Sequence, residues 1–315
     1  MSLAFTFPGQ GSQAVGMGKS LAEAFRTARD TFAEVDEALG QNLARLMFEG
    51  PPDELTLTEN AQPALMAVSM AVVRVLAVDG KLDLAQHAFF VAGHSLGEYS
   101  AHAAVGTFSL ADTARLLKIR GRAMQAAVPP GEGAMAAILG LEFDAVAAIA
   151  AEAAGKDVCQ AANDNGGGQV VISGHKAAVE RAMELAKAAG AKRAIPLPVS
   201  APFQCALMKP AADAMADALG KVTVARPRVP VVANVTAAPV SDPAEIVARL
   251  VEQVTGTVRW RECVAAMAGA GVTTFYEIGS GKVLTGLVKR IAEGASGVAI
   301  GTPDDVAAFK AARAC

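Results

Sequence analysis

Gly93-His94-Ser95-Leu96-Gly97 is the stretch that decides how this chain is read. Its Gly-x-Ser-x-Gly form is that of a nucleophile elbow. The apolar run Ala88-Phe89-Phe90-Val91-Ala92 leads into it and predicts a buried strand. Glu98-Tyr99-Ser100-Ala101-His102-Ala103-Ala104 leads out and predicts a helix. Strand, tight turn and helix are the setting in which this pattern carries chemistry. The flanking glycines let the backbone turn sharply, which places Ser95 at the top of a sheet. The helix start behind it offers a backbone N–H, that of Leu96, to a developing oxyanion. In a chain with 30 glycines the pattern also arises by chance. The strand before it and the helix after it weigh against chance.

Working outward, composition bounds the class. The chain has 315 residues, 52% of them hydrophobic and only 5% aromatic. That is ample material for one large globular unit or two domains. Abundant alanine favours helix and close packing, so an α/β protein is expected. A net charge of −3 argues against a broad nucleic-acid surface. No apolar run approaches the roughly 18 residues of a membrane span. The first residues lack a basic segment followed by an apolar one, and Ser2-Leu3-Ala4-Phe5-Thr6-Phe7 reads as a first strand. The four cysteines, Cys159, Cys205, Cys263 and Cys315, are scattered without metal-ligand or disulfide spacing. The expected compartment is reducing and cytoplasmic, and neither a metal nor a cofactor is indicated.

Strands and helices alternate along most of the chain. Strands are expected at 3–7 and 88–92, an apolar helix at 62–78 begun by Pro63, and a helix at 111–128 carrying Arg115, Lys118, Arg120 and Arg122. Alternation of this kind implies a mostly parallel sheet covered by helices. Pro129-Pro130-Gly131-Glu132-Gly133 breaks the rhythm. Beyond it the pattern reads strand 134–139, helix 143–154, strand 158–162, turn 163–168, strand 169–173, helix 176–189 and strand 193–197. That order, β-α-β-β-α-β, is the ferredoxin-like arrangement. Pro196, Pro198 and Pro202 mark the return. The expected architecture is therefore an α/β-hydrolase-like core from 1–129 and 201–315, with a small ferredoxin-like domain inserted at 130–200. Further strands are expected at 231–234 and 273–278, with Gly279-Ser280-Gly281-Lys282 opening a helix. A cleft between two such domains suits a ligand.

Three glycine-rich stretches do not carry the chemistry they resemble. Gly16-Met17-Gly18-Lys19-Ser20 ends like a phosphate-binding loop, but Gln13 stands where the first glycine belongs. Gly9-Gln10-Gly11 lacks the third glycine of a dinucleotide fingerprint, because Ala14 occupies its place. Asn163-Asp164-Asn165-Gly166-Gly167-Gly168 lacks the later glutamate of a calcium loop and reads better as a hairpin turn.

The elbow has companions in order along the chain. They are Phe7-Pro8-Gly9-Gln10-Gly11-Ser12-Gln13, Gly93-His94-Ser95-Leu96-Gly97-Glu98-Tyr99, Arg120-Gly121-Arg122-Ala123-Met124-Gln125, Asn163-Asp164-Asn165, Val171-Ile172-Ser173-Gly174, Pro198-Val199-Ser200-Ala201-Pro202-Phe203 and Gly279-Ser280-Gly281-Lys282-Val283-Leu284. Together they resemble the bacterial malonyl-CoA:acyl-carrier-protein transacylase family, from residue 5 to about 291. The resemblance implies a ping-pong acyl transfer. Ser95 would attack the thioester of malonyl-CoA, and the phosphopantetheine thiol of acyl carrier protein would then take the malonyl group. It implies an oxyanion hole from the backbone N–H groups of Gln10 and Leu96. It implies that Arg120 pairs with the free malonyl carboxylate, for which a guanidinium fork is well shaped. From spacing alone, Arg120 equally suits a solvated helix face. The resemblance also implies that Gln62 lies near the substrate and that the Gln253 carbonyl orients the catalytic base. From the residues alone both equally suit surface or capping positions. His94, adjacent to Ser95, is counted with the substrate-binding residues. The partners implied are malonyl-CoA and acyl carrier protein, with no nucleic acid, no membrane and a monomeric state.

The chain departs from the family at one position. The family's base is a histidine after Ser-x-Pro-Phe or Ser-x-Pro-Ser, and here the sequence runs Ser200-Ala201-Pro202-Phe203-Gln204. An amide accepts a hydrogen bond from a hydroxyl but cannot take its proton near neutral pH. The four histidines offer little substitute. His87 is expected on the surface, His175 as a surface cap, and His102 two helical turns from Ser95. His94 is a neighbour in sequence, but adjacent residues at an elbow point apart. Three readings of Gln204 stay open: an engineered histidine-to-glutamine replacement, a natural enzyme with a weakened or relocated base, and a pseudoenzyme that only binds. The intact surroundings favour the first. Two alternatives to a transferase also stand, a serine hydrolase or thioesterase on the same elbow and a non-catalytic CoA- or carrier-binding module.

Overall fold

The computed structural model describes residues 2–313, so Cys315 lies outside the described residues. Its larger sheet contains β1 (Ser2–Phe7), β2 (Ala88–Gly93), β7 (Val231–Val232), β8 (Pro239–Val240), β9 (Val272–Ile278) and β10 (Ser296–Ile300). Their order is β10-β9-β1-β2-β7-β8, parallel throughout except for the edge pair β7–β8. The central strand β1 is buried on both faces, at Phe5 and Phe7 on one and at Ala4 and Thr6 on the other, as an inner parallel strand requires. A second sheet is antiparallel and built from β3 (Gly133–Leu139), β4 (Cys159–Asp164), β5 (Gln169–His175) and β6 (Arg193–Pro196), in the order β4-β5-β3-β6. Helices Phe143–Ala154 and Lys176–Ala188 cover it through Val146, Ala150, Val179 and Ala182. The fold is therefore mixed α/β, with a parallel-dominant sheet and a separate antiparallel one.

The expected elements differ from the observed ones mainly at their ends. The apolar helix runs Thr58–Val78, with Pro63 inside it rather than at its start. Proline there removes one hydrogen bond near the N-terminal end, where neighbouring turns absorb the loss. By length and composition this helix is apolar enough to cross a membrane. Its 18-residue window has a mean hydropathy of 1.7, and 78% of that window is buried in the fold. The expectation that no segment approaches a membrane span is corrected on length. The apolarity has a protein partner, because this helix packs against Leu110–Ala126 in the main core. Several helices not singled out from sequence complete the cover, among them Arg26–Leu39, Lys209–Leu219, Pro243–Gln253 and Trp260–Gly269.

Three chain segments leave strands at the same edge of the larger sheet. β1 ends at Phe7, paired with Gly93 at the end of β2, and β7 ends just before Asn234. Loops after the carboxyl ends of parallel strands are the usual ligand-binding edge of such sheets. The smaller sheet reaches this edge along one seam. Asp164 donates its backbone N–H to the Val258 carbonyl at 2.9 Å, and Val258 returns a bond to Ala162 at 2.9 Å. Arg261 Nε holds Asp164 Oδ2 at 2.8 Å across the same seam.

Candidate active site

The elbow is built by two close backbone approaches. A Cβ on Gly93 would lie 1.9 Å from the Gly97 carbonyl carbon, and one on Gly97 would lie 2.2 Å from the Phe7 carbonyl oxygen. Only glycine fits either position. The turn between them forces Ser95 to φ 52° and ψ −111°. A non-glycine residue in that region stores strain, and such strain concentrates at functional sites. The Leu96–Ala104 helix starts directly behind it. Leu96 carries the first helical N–H, one of the four that no intrahelical carbonyl can satisfy. The Ser95 N–H itself is already bound to Asn234 Oδ1 at 2.8 Å.

Around the Ser95 hydroxyl the structure gathers residues from four distant segments. Ser95 Oγ donates to Gln204 Oε1 at 2.7 Å. Gln204 follows the return from the smaller sheet at φ 58°. Its amide nitrogen is held by two carbonyls, Gln253 O at 2.6 Å and Gly256 O at 2.9 Å. With both amide hydrogens on carbonyls, the amide oxygen must face the serine. Arg120 lies on Leu110–Ala126 and is only 1% exposed. Its Nη2 donates to Ser95 Oγ at 3.1 Å and to Gln253 Oε1 at 2.8 Å, and its Nη1 to Gln62 Oε1 at 2.9 Å. Every one of these partners is uncharged, and Arg120 Nε is buried with no acceptor. Burial pulls the Arg120 pKa down, opposed by the nearby Tyr99 and Glu98, yet a guanidinium stays cationic in proteins.

Beneath this layer lies a buried carboxyl that the sequence did not single out. Glu98 Oε2 accepts from Gln253 Nε2 at 2.9 Å and from the Asn234 N–H at 3.1 Å, while Oε1 has no partner. Burial raises its pKa to about 7, against the lowering effect of Gln253, Asn234 and the Arg120 charge. Asn234 likewise carries no local sequence signal. It clamps the elbow from both sides, accepting from Ser95 N and donating to Gly93 O at 2.7 Å. Both residues are polar positions in apolar surroundings, and only the tertiary fold reveals their partners.

The remaining sequence candidates fall into place unevenly. Gln62 is buried and bonds Arg120, and Gln253 contributes both its side chain and its carbonyl, so neither is a surface or capping residue. Gln10 sits in the loop after β1, its side-chain Oε1 accepting from Thr58 Oγ1 at 2.7 Å. His94 turns away from Ser95. Its Nε2 pairs with Asn165 Oδ1 at 3.0 Å, and its ring packs on Trp260. Burial lowers its pKa, partly countered by Asn165. His102 is fully buried beside Thr107, with a pKa pushed down to about 3 by burial. His175 sits at the start of its helix without capping it, because its Nδ1 accepts from the Val158 N–H at 2.9 Å. His87 is exposed. The hydrogen bonds of Ser95 Oγ run to Gln204 and Arg120, and among the described residues no group of three or more potential metal ligands occurs.

A fold of this kind, with a strained serine at the carboxyl edge of a parallel sheet and a guanidinium on its hydroxyl, has the layout of a serine acyltransferase. The Acyl transferase domain family model matches residues 4–303, and the chain belongs to that family. Among individual relatives, the malonyl CoA-acyl carrier protein transacylase of Escherichia coli (strain K12) is 49% identical over 305 residues, covering 97% of each chain. The solved acyl-carrier-protein-S-malonyltransferase of Bartonella henselae is 57% identical, superposes with a TM-score of 0.97, and covers 100% of both chains. A malonyl-transacylase solved in complex with a type II PKS acyl-carrier protein is 43% identical, with a TM-score of 0.95, covering 99% of this chain and 100% of that one.

Proposed function

We propose that this chain is a malonyl transferase of fatty acid synthesis, moving the malonyl group of malonyl-CoA to the phosphopantetheine thiol of acyl carrier protein through a malonyl-Ser95 ester. The observation that carries the reading is the Arg120 guanidinium placed on the Ser95 hydroxyl, 3.1 Å away, with uncharged partners only. A buried cation without a carboxylate partner, and with Nε unbonded, suits a substrate that brings its own carboxylate. A hydrolase of simple esters has no use for it.

In the first half-reaction Ser95 Oγ bonds to the thioester carbon, and the carbon–sulfur bond breaks after a tetrahedral intermediate. The Leu96 and Gln10 N–H groups are assigned to its oxyanion. The Arg120 fork holds the distal carboxylate and so fixes which acyl group is aligned. In the second half-reaction the carrier thiol attacks the ester carbon, and Ser95 leaves as the hydroxyl. Both halves need a group that takes and returns a proton. Gln204 holds the serine hydroxyl in position but has no basic lone pair. The chain is therefore assigned as a transferase with its base position occupied by an orienting amide. This fits a histidine-to-glutamine replacement better than a relocated base: among the described residues the side chains bonded to Ser95 Oγ are Gln204 and Arg120, and a guanidinium stays protonated and cannot take the serine proton.

Support for the finer architecture comes from order. The antiparallel sheet runs second, third, first, fourth in strand succession, with both helices on one side, as a ferredoxin-like unit at 130–200 would. The elbow between β2 and its helix is the feature that 1–129 with 201–315 shares with α/β-hydrolase cores. Cys159, Cys205 and Cys263 are free and buried, which suits a reducing cytoplasm.

The test is intact-mass analysis after incubation with malonyl-CoA, using the chain, its Gln204→His form, and each of these with Ser95→Ala. A malonyl adduct that needs Ser95 supports the reading. No adduct in the Gln204→His form, or an adduct that survives Ser95→Ala, overturns it.

A further inference from the structure

We propose that Glu98 is a positioning residue for acyl selectivity: through the Gln253 side-chain amide, it holds the Arg120 guanidinium where the acyl carboxylate must bind. The inference rests on the transferase reading above and deepens it.

Gln253 Nε2 donates to Ser95 O at 2.9 Å and to Glu98 Oε2 at 2.9 Å. Both amide hydrogens are thereby committed, and Gln253 Oε1 is left to accept Arg120 Nη2 at 2.8 Å. A flipped amide would set its nitrogen against the Arg120 donor and its oxygen against a carbonyl and a carboxylate. An ionised carboxylate only accepts, so Glu98 favours one orientation of the amide. The same Oε2 receives the Asn234 N–H at 3.1 Å, and Asn234 in turn clamps Ser95 and Gly93. Glu98 thus ties the elbow and the guanidinium to one buried group.

Charge points the same way. Arg120 and Glu98 are both fully or almost fully buried, at 1% and 0% exposure, and neither forms a direct ion pair. When ionised, Glu98 is therefore the buried counter-charge of the guanidinium, held one amide away. A direct pair would occupy the fork and exclude the substrate. An intervening amide keeps the cation in place and leaves the fork available.

A hydrogen bond to a charged acceptor outweighs one to a neutral acceptor by enough to change a rate or binding constant up to about tenfold. The experiment measures Ser95 acylation by malonyl-CoA and by acetyl-CoA in the Gln204→His background, where turnover is expected. Glu98→Gln should lower the malonyl-to-acetyl ratio of kcat/KM by about tenfold. The acetyl rate should change far less than the malonyl rate. In an Arg120→Ala background the same Glu98→Gln should leave the ratio unmoved, because the residue acts through the guanidinium. Gln253→Met, which keeps the backbone carbonyl but removes the amide, should lower the ratio as Glu98→Gln does, and it answers the question if Glu98→Gln fails to fold. An equal fall for both acyl groups, an effect that persists without Arg120, or an unchanged ratio in Gln253→Met overturns the proposal. Failure of Gln204→His to acylate Ser95 at all overturns the transferase reading instead, so the two are distinguishable.

Discussion

The Ser95 hydroxyl donates to the Gln204 amide oxygen at 2.7 Å, and the Gln204 amide nitrogen is locked to the Gln253 carbonyl at 2.6 Å. A histidine at the same position would meet the same two groups, one ring nitrogen at the serine and the other at the carbonyl. The carbonyl would then hold the ring tautomer whose free nitrogen faces Ser95, which is how second partners orient catalytic imidazoles. The two hydrogen bonds of Gln204 are thus ones that an imidazole in its place would also make.

Gln204→His is accordingly expected to raise the acyl-transfer rate by at least about 10²-fold, the usual worth of a placed general base. The gain should develop as pH rises through about 6.5, where an unperturbed imidazole becomes neutral. The parent chain should lack that limb. Steady-state transfer from malonyl-CoA to carrier protein across pH checks it, and equal rates for the two chains would show that another base operates. His94→Ala would then be the variant to make.

How much of this was legible in sequence depended on range. The elbow, β2 and the following helix are contiguous, so the pattern of glycines and apolar residues specified them directly. The elements between 133 and 196 were readable for the same reason, since each strand or helix carries its own periodicity. Pro63 was misplaced because proline is common at helix starts, while here the preceding Thr58 to Gln62 already continue the helix. Glu98 and Asn234 were missed because their importance lies in a contact across 136 positions of sequence, with nothing local to mark it. Gln10, Gln62 and Gln253 drew attention only through family likeness. A lone glutamine carries no pattern, and its role appears once its amide is seen bonded to Thr58, Arg120 or Glu98.

The elbow glycines should tolerate nothing larger. Gly97→Ala places a methyl 2.2 Å from the Phe7 carbonyl oxygen, a backbone atom of the central strand that cannot move alone. Overpacking against backbone typically costs about 1–3 kcal/mol and sometimes more. Chemical denaturation should show a clear drop in midpoint for Gly97→Ala. Gly269→Ala, where a Cβ meets nothing within 4 Å, should be nearly neutral or slightly stabilising as a helix substitution.

Glu98 should leave a mark on stability against pH. Its carboxyl titrates near 4.5 when unfolded and about 7 when folded, chiefly because burial disfavours the charge. Between those values the folded state holds a proton that the unfolded state has lost. Stability attributable to this group is therefore present below about 4.5 and declines until about 7. A shift of that size corresponds to roughly 3 kcal/mol at most. Glu98→Gln removes the ionisation. The melting temperature of the variant relative to the parent should rise as pH is taken from about 5 to 8. A constant difference across that window would show that Glu98 does not titrate there.

Arg120 gives the sharpest separation of binding from folding. Its guanidinium bonds Gln62, Gln253, Ser95 and Gln204, all uncharged, so its removal breaks no direct ion pair. Arg120→Ala should therefore lower stability by about 1–3 kcal/mol through unsatisfied amide oxygens. The larger effect should fall on the malonyl substrate, whose carboxylate loses a charge-assisted contact worth about 2–5 kcal/mol when one partner of a buried pair is truncated. Acetyl-CoA has no carboxylate to lose, and its use should be unchanged or improved by the added space. Arg120→Lys should land between these, because an ammonium supplies the charge without the planar fork that spans Gln62 and Gln253. The measurement is Ser95 acylation in the Gln204→His background, with kcat and KM resolved for each acyl-CoA. Parallel losses for malonyl and acetyl groups would assign Arg120 to holding Ser95 and Gln253 in place, and would leave carboxylate selection to some other residue.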